Sequence, residues 1–181
     1  MMANNKIYNL FHCWLITCLV LVFLIIIVGG LTRLTNSGLS ITEWELLKGI
    51  FPPLTQSSWD NYFSLYKEIP QYKILNFDMS LEEFKIIFYW EYFHRVLARV
   101  IGLFFLLPLI YFHFSKKIDP KYLSQCYLIF ALILFQGVIG WFMVKSGLVN
   151  DVTVSHYRLS LHLITAILII SIIFWLINNF K

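Results

Sequence analysis

The sequence predicts an all-α protein, a transmembrane four-helix bundle that forms one domain over residues 1–181. Hydrophobic residues make up 59% of the chain and only 13% of its residues are charged, whereas about a quarter are charged in an average soluble domain. The mean hydropathy is +0.73. Four apolar stretches are long enough to cross a hydrocarbon core, which takes about 20 residues of helix. We therefore expect a lipid bilayer to surround this protein.

The membrane spans are predicted at about residues 12–31, 86–112, 122–144 and 155–177, and a long outer loop over residues 32–85 joins the first two. The first span lacks the small-residue cleavage site that ends a signal peptide, so we expect a retained helix. The chain carries a net charge of +4. Its basic residues form no dense run, and several stand at the ends of apolar stretches, where they signal membrane topology. We expect no nucleic-acid partner.

The short loop between the second and third spans sets the expected orientation. It holds Lys116, Lys117 and Lys121 against the single acid Asp119, and cytoplasmic loops carry an excess of positive charge. This loop, and with it the N- and C-termini, is therefore predicted to be cytoplasmic.

The outer loop is rich in aromatic side chains and contains the pair Pro52-Pro53. Tryptophan and tyrosine favour the headgroup zone of a bilayer. A lid across the outer end of the bundle is the favoured interpretation, and a plain interfacial linker is the alternative. The aromatic residues are Trp44, Phe51, Trp59, Tyr62, Phe63, Tyr66 and Tyr72.

Three cysteines, Cys13, Cys18 and Cys126, lie within or beside predicted helices, and none lies in the outer loop. No disulfide framework is therefore indicated. We interpret them as small buried hydrophobic residues.

The second span carries four ionisable side chains within three turns, namely Glu91, His94, Arg95 and Arg99. A charge at the middle of a bilayer costs roughly 2.5 kcal/mol or more, so such residues indicate a functional site. Glu91 stands four residues before Arg95, which is the spacing of an ion pair on one helix face. Arg99 lies one turn further along the same helix face as Arg95, and we assign both arginines to cofactor binding.

The fourth span carries His162, with Arg158 one turn outward of it. If the second and fourth spans begin near Lys85 and Val154, then His94 and His162 both lie ~12–14 Å below the start of parallel helices. Two imidazoles at one depth are the arrangement that holds haem iron from both sides. Hydrogen-bonded packing histidines are the alternative.

The arginines beside these histidines fit the same interpretation. Arg95 and Arg158 carry planar, permanently charged guanidinium groups that suit the propionate carboxylates of haem. Anchoring at the membrane interface is the alternative role. In the third span, Gly137 and Gly140 allow close helix approach, and Gln136 needs a polar partner. We assign Gln136 to bundle packing, with a position facing the cofactor as the alternative.

Four groups of motifs, taken together, resemble the haem A synthase family, in the branch found in alpha-proteobacteria and mitochondria. Another branch has a cysteine pair in the first outer loop, and that pair is absent here. The motifs are Gly29–Thr35 with Ser37–Ser40, Trp44 and Pro52-Pro53; Asn76–Met79 with Glu83–Lys85 and Trp90–Arg95; Gln136-Gly137 with Gly140–Val144 and Ser146–Leu148; and Tyr157–Leu159 with Leu161–Leu163.

The resemblance implies haem A biosynthesis for cytochrome oxidase assembly, in which a methyl group of haem O is oxidised to a formyl group. It makes His94 and His162 the axial ligands of the substrate haem iron. It makes Glu91 the catalytic carboxylate, which either stabilises positive charge on the porphyrin or acts as a base toward water. We expect a bacterial inner membrane, with the mitochondrial inner membrane as the alternative.

Members of this family usually have eight helices in two similar halves, and the second half holds a further haem, expected to be haem b, that handles electrons. This chain corresponds to the first half. Three interpretations remain open: a truncated product, one part of a split enzyme with a second-half polypeptide, and a half that forms a homodimer. The sequence does not indicate the electron acceptor. The alternative functions are a non-enzymatic bis-histidine electron carrier and an inactive remnant. Glu91 favours the enzyme, because a carrier needs no acid beside its ligand.

Overall fold

The structure is a computed structural model that describes residues 2–43, 48–149 and 151–180. Trp44, which belongs to the motifs above, lies outside the described residues. The described chain holds six α-helices, a 3₁₀ turn at Lys48–Ile50 and no strand. The helices are α1 (Met2–Leu34), α2 (Gln56–Glu68), α3 (Pro70–Leu75), α4 (Leu81–Ser115), α5 (Pro120–Gly147) and α6 (His156–Asn179).

Four of these helices, α1, α4, α5 and α6, are long and apolar enough to cross a membrane. The predicted fold class, an all-α protein with four membrane-spanning helices, is confirmed. The side of the membrane on which the termini lie stays a prediction.

The start of α4 differs from the span that hydropathy indicates. The helix begins at Leu81, about one turn before residue 86, because Ser80 and Glu83 form a capping box. The Ser80 hydroxyl accepts from the Glu83 N–H at 3.3 Å, and the Glu83 carboxylate accepts from the Ser80 N–H at 2.8 Å. This first turn carries the acids Glu82 and Glu83, so hydropathy alone does not mark it as part of the helix.

The four long helices pack in the cyclic order α1, α4, α5, α6 and back to α1. Each of them therefore has two main neighbours, and α4 and α6 stand at diagonally opposite corners of the bundle. Side chains from α4 and α6 that point inward meet across the centre of the bundle, as in other sites built inside helix bundles.

One hydrophobic cluster fills the bundle at the end where α1 begins and α4 ends. It includes Phe11, Trp14, Phe105 and Phe112, all at most 5% exposed. The Trp14 indole N–H donates to the Phe104 carbonyl at 3.1 Å. Tight packing at this end keeps the four helices in fixed register.

The three cysteines are free thiols. Cys18 and Cys126 are buried in that same cluster, whereas Cys13 lies exposed on the surface of the bundle. Burial was therefore predicted correctly for Cys18 and Cys126 but not for Cys13, which falls on the outward face of α1.

Residues 35–80 are here called the connecting segment, and its described parts, 35–43 and 48–80, form a folded cap over the end of the bundle where α1 ends and α4 begins. A second hydrophobic cluster joins this segment to α4, and Val154 adds to it from the approach to α6. This packing favours the lid interpretation over a plain linker. The buried members are Leu39, Ile41, Trp59, Phe63, Tyr66, Ile69, Phe84, Ile87, Phe88 and Val154.

Candidate functional site

Glu91, on α4, is only 3% exposed and accepts hydrogen bonds on both carboxylate oxygens. The Ser40 hydroxyl and the Ile41 N–H donate to Oε2 at 2.8 and 2.9 Å. Arg95 donates to Oε1 from Nε at 3.0 Å and from Nη2 at 2.5 Å. The expected pairing of Glu91 with Arg95 along one helix face is confirmed, and the connecting segment supplies the other two donors.

Arg95 also binds the connecting segment directly, because its Nη2 donates to the Ile41 carbonyl at 3.0 Å. The backbone of Ile41 is therefore held at its N–H by Glu91 and at its C=O by Arg95. These contacts fasten residues 40 and 41 to the face of α4 that carries the candidate site.

His94 lies on α4 less than one turn after Glu91 and is partly buried. Its ring faces Gly29 of α1, where an added Cβ would stand 3.3 Å from the imidazole Nε2. Such a contact is tighter than ordinary van der Waals packing. Glycine at position 29 therefore leaves the room that the His94 ring occupies.

His162, on α6, stands in a matching relation to α5. An added Cβ at Gly140 would lie 3.2 Å from the imidazole Cε1. The His162 Nδ1 is buried and has no hydrogen-bond partner among the described residues. Buried ring nitrogens normally have a partner, so this imidazole has unused capacity to bind a ligand. Gln136 donates from Nε2 to the His162 carbonyl at 2.8 Å, which fixes α5 against α6.

His94 and His162 stand on the diagonally opposite helices α4 and α6, each with its ring beside a glycine of a neighbouring helix. The two histidines lie at unequal distances from their helix starts, because α4 begins at Leu81 and α6 only at His156. The first turn of α4 contributes Phe84 to the cluster that it forms with the connecting segment. One turn inward of the two histidines the side chains differ in exposure: Ala166 of α6 is buried and Ala98 of α4 is exposed.

The other two arginines take different positions. Arg99 and Arg95 line a small cleft between α4 and the connecting segment, with Tyr92 beside them. Arg158 donates from Nη1 to the Phe142 carbonyl at 2.7 Å and stacks its guanidinium 3.7 Å from the centre of the Phe142 ring. Arg158 is thus directed toward α5. The pairing of Arg95 and Arg158 with propionates, and the assignment of Arg99 to cofactor binding, stay predictions.

The sequence interpretation did not assign Ser40, Ile41 or Gly29 to the site, and it gave Gly140 only a packing role. Gly29 and Ser40 do stand in two of the motifs quoted above. Their contacts could not be inferred, because sequence spacing does not tell where a long loop docks or which helices are neighbours. The two glycines could have been found once the ring order of helices was known.

Comparisons with known proteins identify the family to which the chain belongs. Residues 12–181 match the family COX15-CtaA, described as "Cytochrome oxidase assembly protein". No solved structure matches the chain.

Three relatives show the extent of the similarity, and each is described as "Heme A synthase". The protein of Pelagibacter ubique is 56% identical over 98% of this chain and 53% of its own length. The protein of Nitrosospira multiformis is 54% identical over 90% of the chain and 46% of its own length, and that of Flavobacterium psychrophilum is 46% identical over 96% and 51%. The chain thus spans about half the length of the curated relatives it matches. It belongs to the COX15-CtaA family of cytochrome oxidase assembly proteins.

Proposed function

We propose that this chain acts in haem A biosynthesis as the part of a haem A synthase that binds the substrate haem. The substrate is haem O, and the reaction oxidises one of its porphyrin methyl groups to a formyl group. The observation that carries the proposal is the placement of His94 and His162 on diagonally opposite helices, each beside a glycine of a neighbouring helix, in a chain similar to proteins described as heme A synthases.

The residues at this site fit a haem. Two imidazoles supply the two axial positions of an iron whose other positions a porphyrin fills. The buried Nδ1 of His162 has no hydrogen-bond partner among the described residues, which leaves this nitrogen available to a group outside them. Gly29 and Gly140 keep the neighbouring helices from crowding the two rings, so the histidines can orient toward a ligand between them.

Glu91 would act beside the porphyrin, less than one turn from His94. A carboxylate at this place offers charge stabilisation or proton acceptance to the methyl group being oxidised. Arg95 holds it in place on α4. In this proposal Arg95, Arg99 and Arg158 bind the haem propionates. Arg95 and Arg99 line one cleft together. Arg158 would give up its contact with Phe142 to bind a propionate.

Electron removal from the substrate belongs, in this proposal, to a second half that holds haem b. A second-half polypeptide or a second copy of this chain would supply it, and the electron acceptor lies beyond that half. The helices place the protein in a membrane, for which we propose the bacterial inner membrane, with the mitochondrial inner membrane as the alternative.

The test is production of haem A in cells that make haem O. The chain is expressed alone, or together with the second half of a full-length relative, and the haems are extracted and separated. We expect haem A with the second half present and at least tenfold less from the Glu91→Gln variant, because the amide carries no negative charge.

Two other outcomes would contradict the proposal. Bound haem that stays unmodified, with the second half present, would indicate the alternative function of a bis-histidine electron carrier. A chain that binds no haem at all would indicate an inactive remnant. Haem A that persists at full level with Glu91→Gln would remove Glu91 from the mechanism.

A further inference from the structure

Residues 50–54 of the connecting segment, here called the apolar turn, lead from the 3₁₀ turn at Lys48–Ile50 to the start of α2. Three of its side chains are large, apolar and exposed: Ile50 by 43%, Phe51 by 74% and Leu54 by 81%. Exposed apolar side chains that stand together mark a contact surface. The apolar turn therefore needs a partner that the described residues do not supply.

The height of the apolar turn relative to the bilayer follows from its contact with α4. The Tyr92 hydroxyl donates to the Ile50 carbonyl at 2.5 Å. Lys116 and Lys117 directly follow α4, and their charges belong outside the hydrocarbon. Counting back from this end the roughly 20 residues that span the hydrocarbon places its other edge near Val96. Tyr92 lies about one turn beyond that edge, so Ile50 stands in the headgroup zone.

A second contact gives the same height. Phe51 lines the small cleft that also contains Arg95 and Arg99, and both arginines lie within about one turn of the hydrocarbon edge on α4. At this end of the bundle α1 and α5 carry Arg33 and Lys145 in their last turns, where basic side chains mark the membrane interface. The apolar turn is thus level with the boundary between headgroups and acyl chains.

The apolar turn also continues the exposed apolar surface of α4. Tyr92, which binds the turn, contacts Tyr89 with ring centroids 6.5 Å apart. On the same side of α4, Ile86, Tyr89 and Phe93 are 61%, 47% and 51% exposed. A membrane-spanning helix presents such a face to lipid. The lipid that covers this face therefore reaches the turn.

The pair Pro52-Pro53 in the middle of the turn suits the same surroundings. A backbone polar group without a partner is costly where water is scarce, and proline has no backbone N–H to leave unpaired. The Ile50 carbonyl, next to the pair, is already paired with the Tyr92 hydroxyl. The backbone of the turn thus exposes few donors at the membrane boundary.

We propose that the apolar turn is a membrane anchor of the connecting segment, and that Ile50, Phe51 and Leu54 insert among lipids at the boundary between headgroups and acyl chains. Elements that lie in this plane bury their apolar side chains about 5–10 Å into it. The anchor holds the segment beside the cleft of Arg95 and Arg99. This inference does not depend on haem binding, since it uses only the membrane helices and the cap.

Phe77 offers a matched control because it is also apolar and exposed, by 68%, but stands at a different height. It precedes Ser80, the N-cap of α4, and the start of α4 lies ~22 Å of helix beyond Val96. Headgroups extend only about 5–8 Å beyond the hydrocarbon. We therefore expect Phe77 to lie in water.

Nitroxide labels on single cysteines of the full chain measure these contacts. The background is Cys13→Ser, because Cys13 is the exposed thiol and the other two cysteines are buried. Phe51→Cys and Leu54→Cys carry the test labels and Phe77→Cys the control label. Leu107→Cys, at an exposed position within the α4 span, is the lipid reference. The samples are nanodiscs of phosphatidylcholine and phosphatidylglycerol. Relaxation is measured with oxygen, which concentrates among acyl chains, and with a water-soluble nickel chelate.

The oxygen-to-nickel ratio at positions 51 and 54 should lie below that at 107 and be several times that at 77. Ratios at 51 and 54 equal to that at 77 would place the turn in water. Weak relaxation by both reagents would show that protein, such as a second copy of the chain, covers the turn. Either result would overturn the proposal.

A charge at the same position tests the anchor without a label. Leu54→Asp and Phe77→Asp both alter exposed side chains, so we expect both variants to fold. Limited proteolysis in the same nanodiscs should cleave the connecting segment faster in Leu54→Asp than in wild type, because a carboxylate is expelled from the lipid boundary. Phe77→Asp should be cleaved as wild type is. Equal rates in Leu54→Asp and wild type would contradict the anchor.

Discussion

Two glycines define the candidate site at the scale of single residues. Gly29 faces His94 and Gly140 faces His162, each from the helix next to the one that carries the histidine. Small residues are common where membrane helices meet, so their presence is not distinctive by itself. Their contact with the imidazoles is distinctive, because in each pair the glycine supplies space that its histidine uses.

The glycines yield a prediction about haem affinity. Gly140→Ala places a Cβ 3.2 Å from the His162 ring, and Gly29→Ala places one 3.3 Å from the His94 ring. Each imidazole would have to shift from its place, and a shifted axial ligand binds iron less well. We expect haem affinity to fall about tenfold for each variant, equivalent to about 1.4 kcal/mol, as measured by titration of the purified chain.

The neighbouring glycines provide matched controls. An added Cβ at Gly30 of α1 or at Gly137 of α5 meets nothing within 4 Å. Gly30→Ala and Gly137→Ala should therefore bind haem as the wild-type chain does. Equal losses in these controls would show that the effect comes from the helices in general and not from the histidines.

The connecting segment adds contacts to the candidate site beyond the two histidines. It brings Ser40 and Ile41 to Glu91, and it inserts Leu39 against Gly147 at the end of α5. An added Cβ at Gly147 would lie 2.6 Å from Leu39 Cδ1, and Leu39 is only 2% exposed. Glycine at position 147 thus appears where the segment enters the bundle.

Docking of the segment can be tested by changing both sides of this contact. Gly147→Ala should loosen the connecting segment and speed its cleavage in limited proteolysis, because the buried Leu39 side chain has no room to move. Leu39→Ala combined with Gly147→Ala should recover part of the protection, since the smaller side chain relieves the overlap. Gly137→Ala is the control on the same helix. Cleavage of the double variant as fast as that of Gly147→Ala would contradict the contact.

A helix could be predicted from the sequence when its own residues determine it, and not when its packing against distant residues determines it. The four long helices follow from apolar runs of sufficient length, and the early start of α4 was readable from the capping pair of Ser80 and Glu83. The helices α2 and α3 were not predicted as helices within the outer loop. Their aromatic side chains were predicted to favour the headgroup zone, as part of a lid or of a plain linker. In the structure Trp59, Phe63 and Tyr66 pack into a cluster with α4, a contact that depends on the tertiary fold.

In the whole molecule, the cyclic order of the four long helices determines which of the separate motifs lie on neighbouring helices and which on opposite ones. The ion pair of Glu91 and Arg95 could be predicted from spacing, because both residues lie on one helix. The equal depth of His94 and His162 was predicted from assumed helix starts, and the start assumed for α4 was wrong. The cyclic order of the helices places the two histidines on the diagonally opposite helices α4 and α6.

In the proposed function His94 and His162 together hold a haem, and the absorption spectrum of the purified chain reports directly on this ligation. We expect a Soret band typical of bis-histidine haem when haem is added to the wild-type chain. His94→Ala and His162→Ala should each abolish that spectrum, whereas His113→Ala on α4 and His156→Ala on α6 should leave it unchanged. A wild-type chain without a Soret band, or a bis-histidine spectrum that survives His94→Ala or His162→Ala, would contradict haem binding by these two histidines.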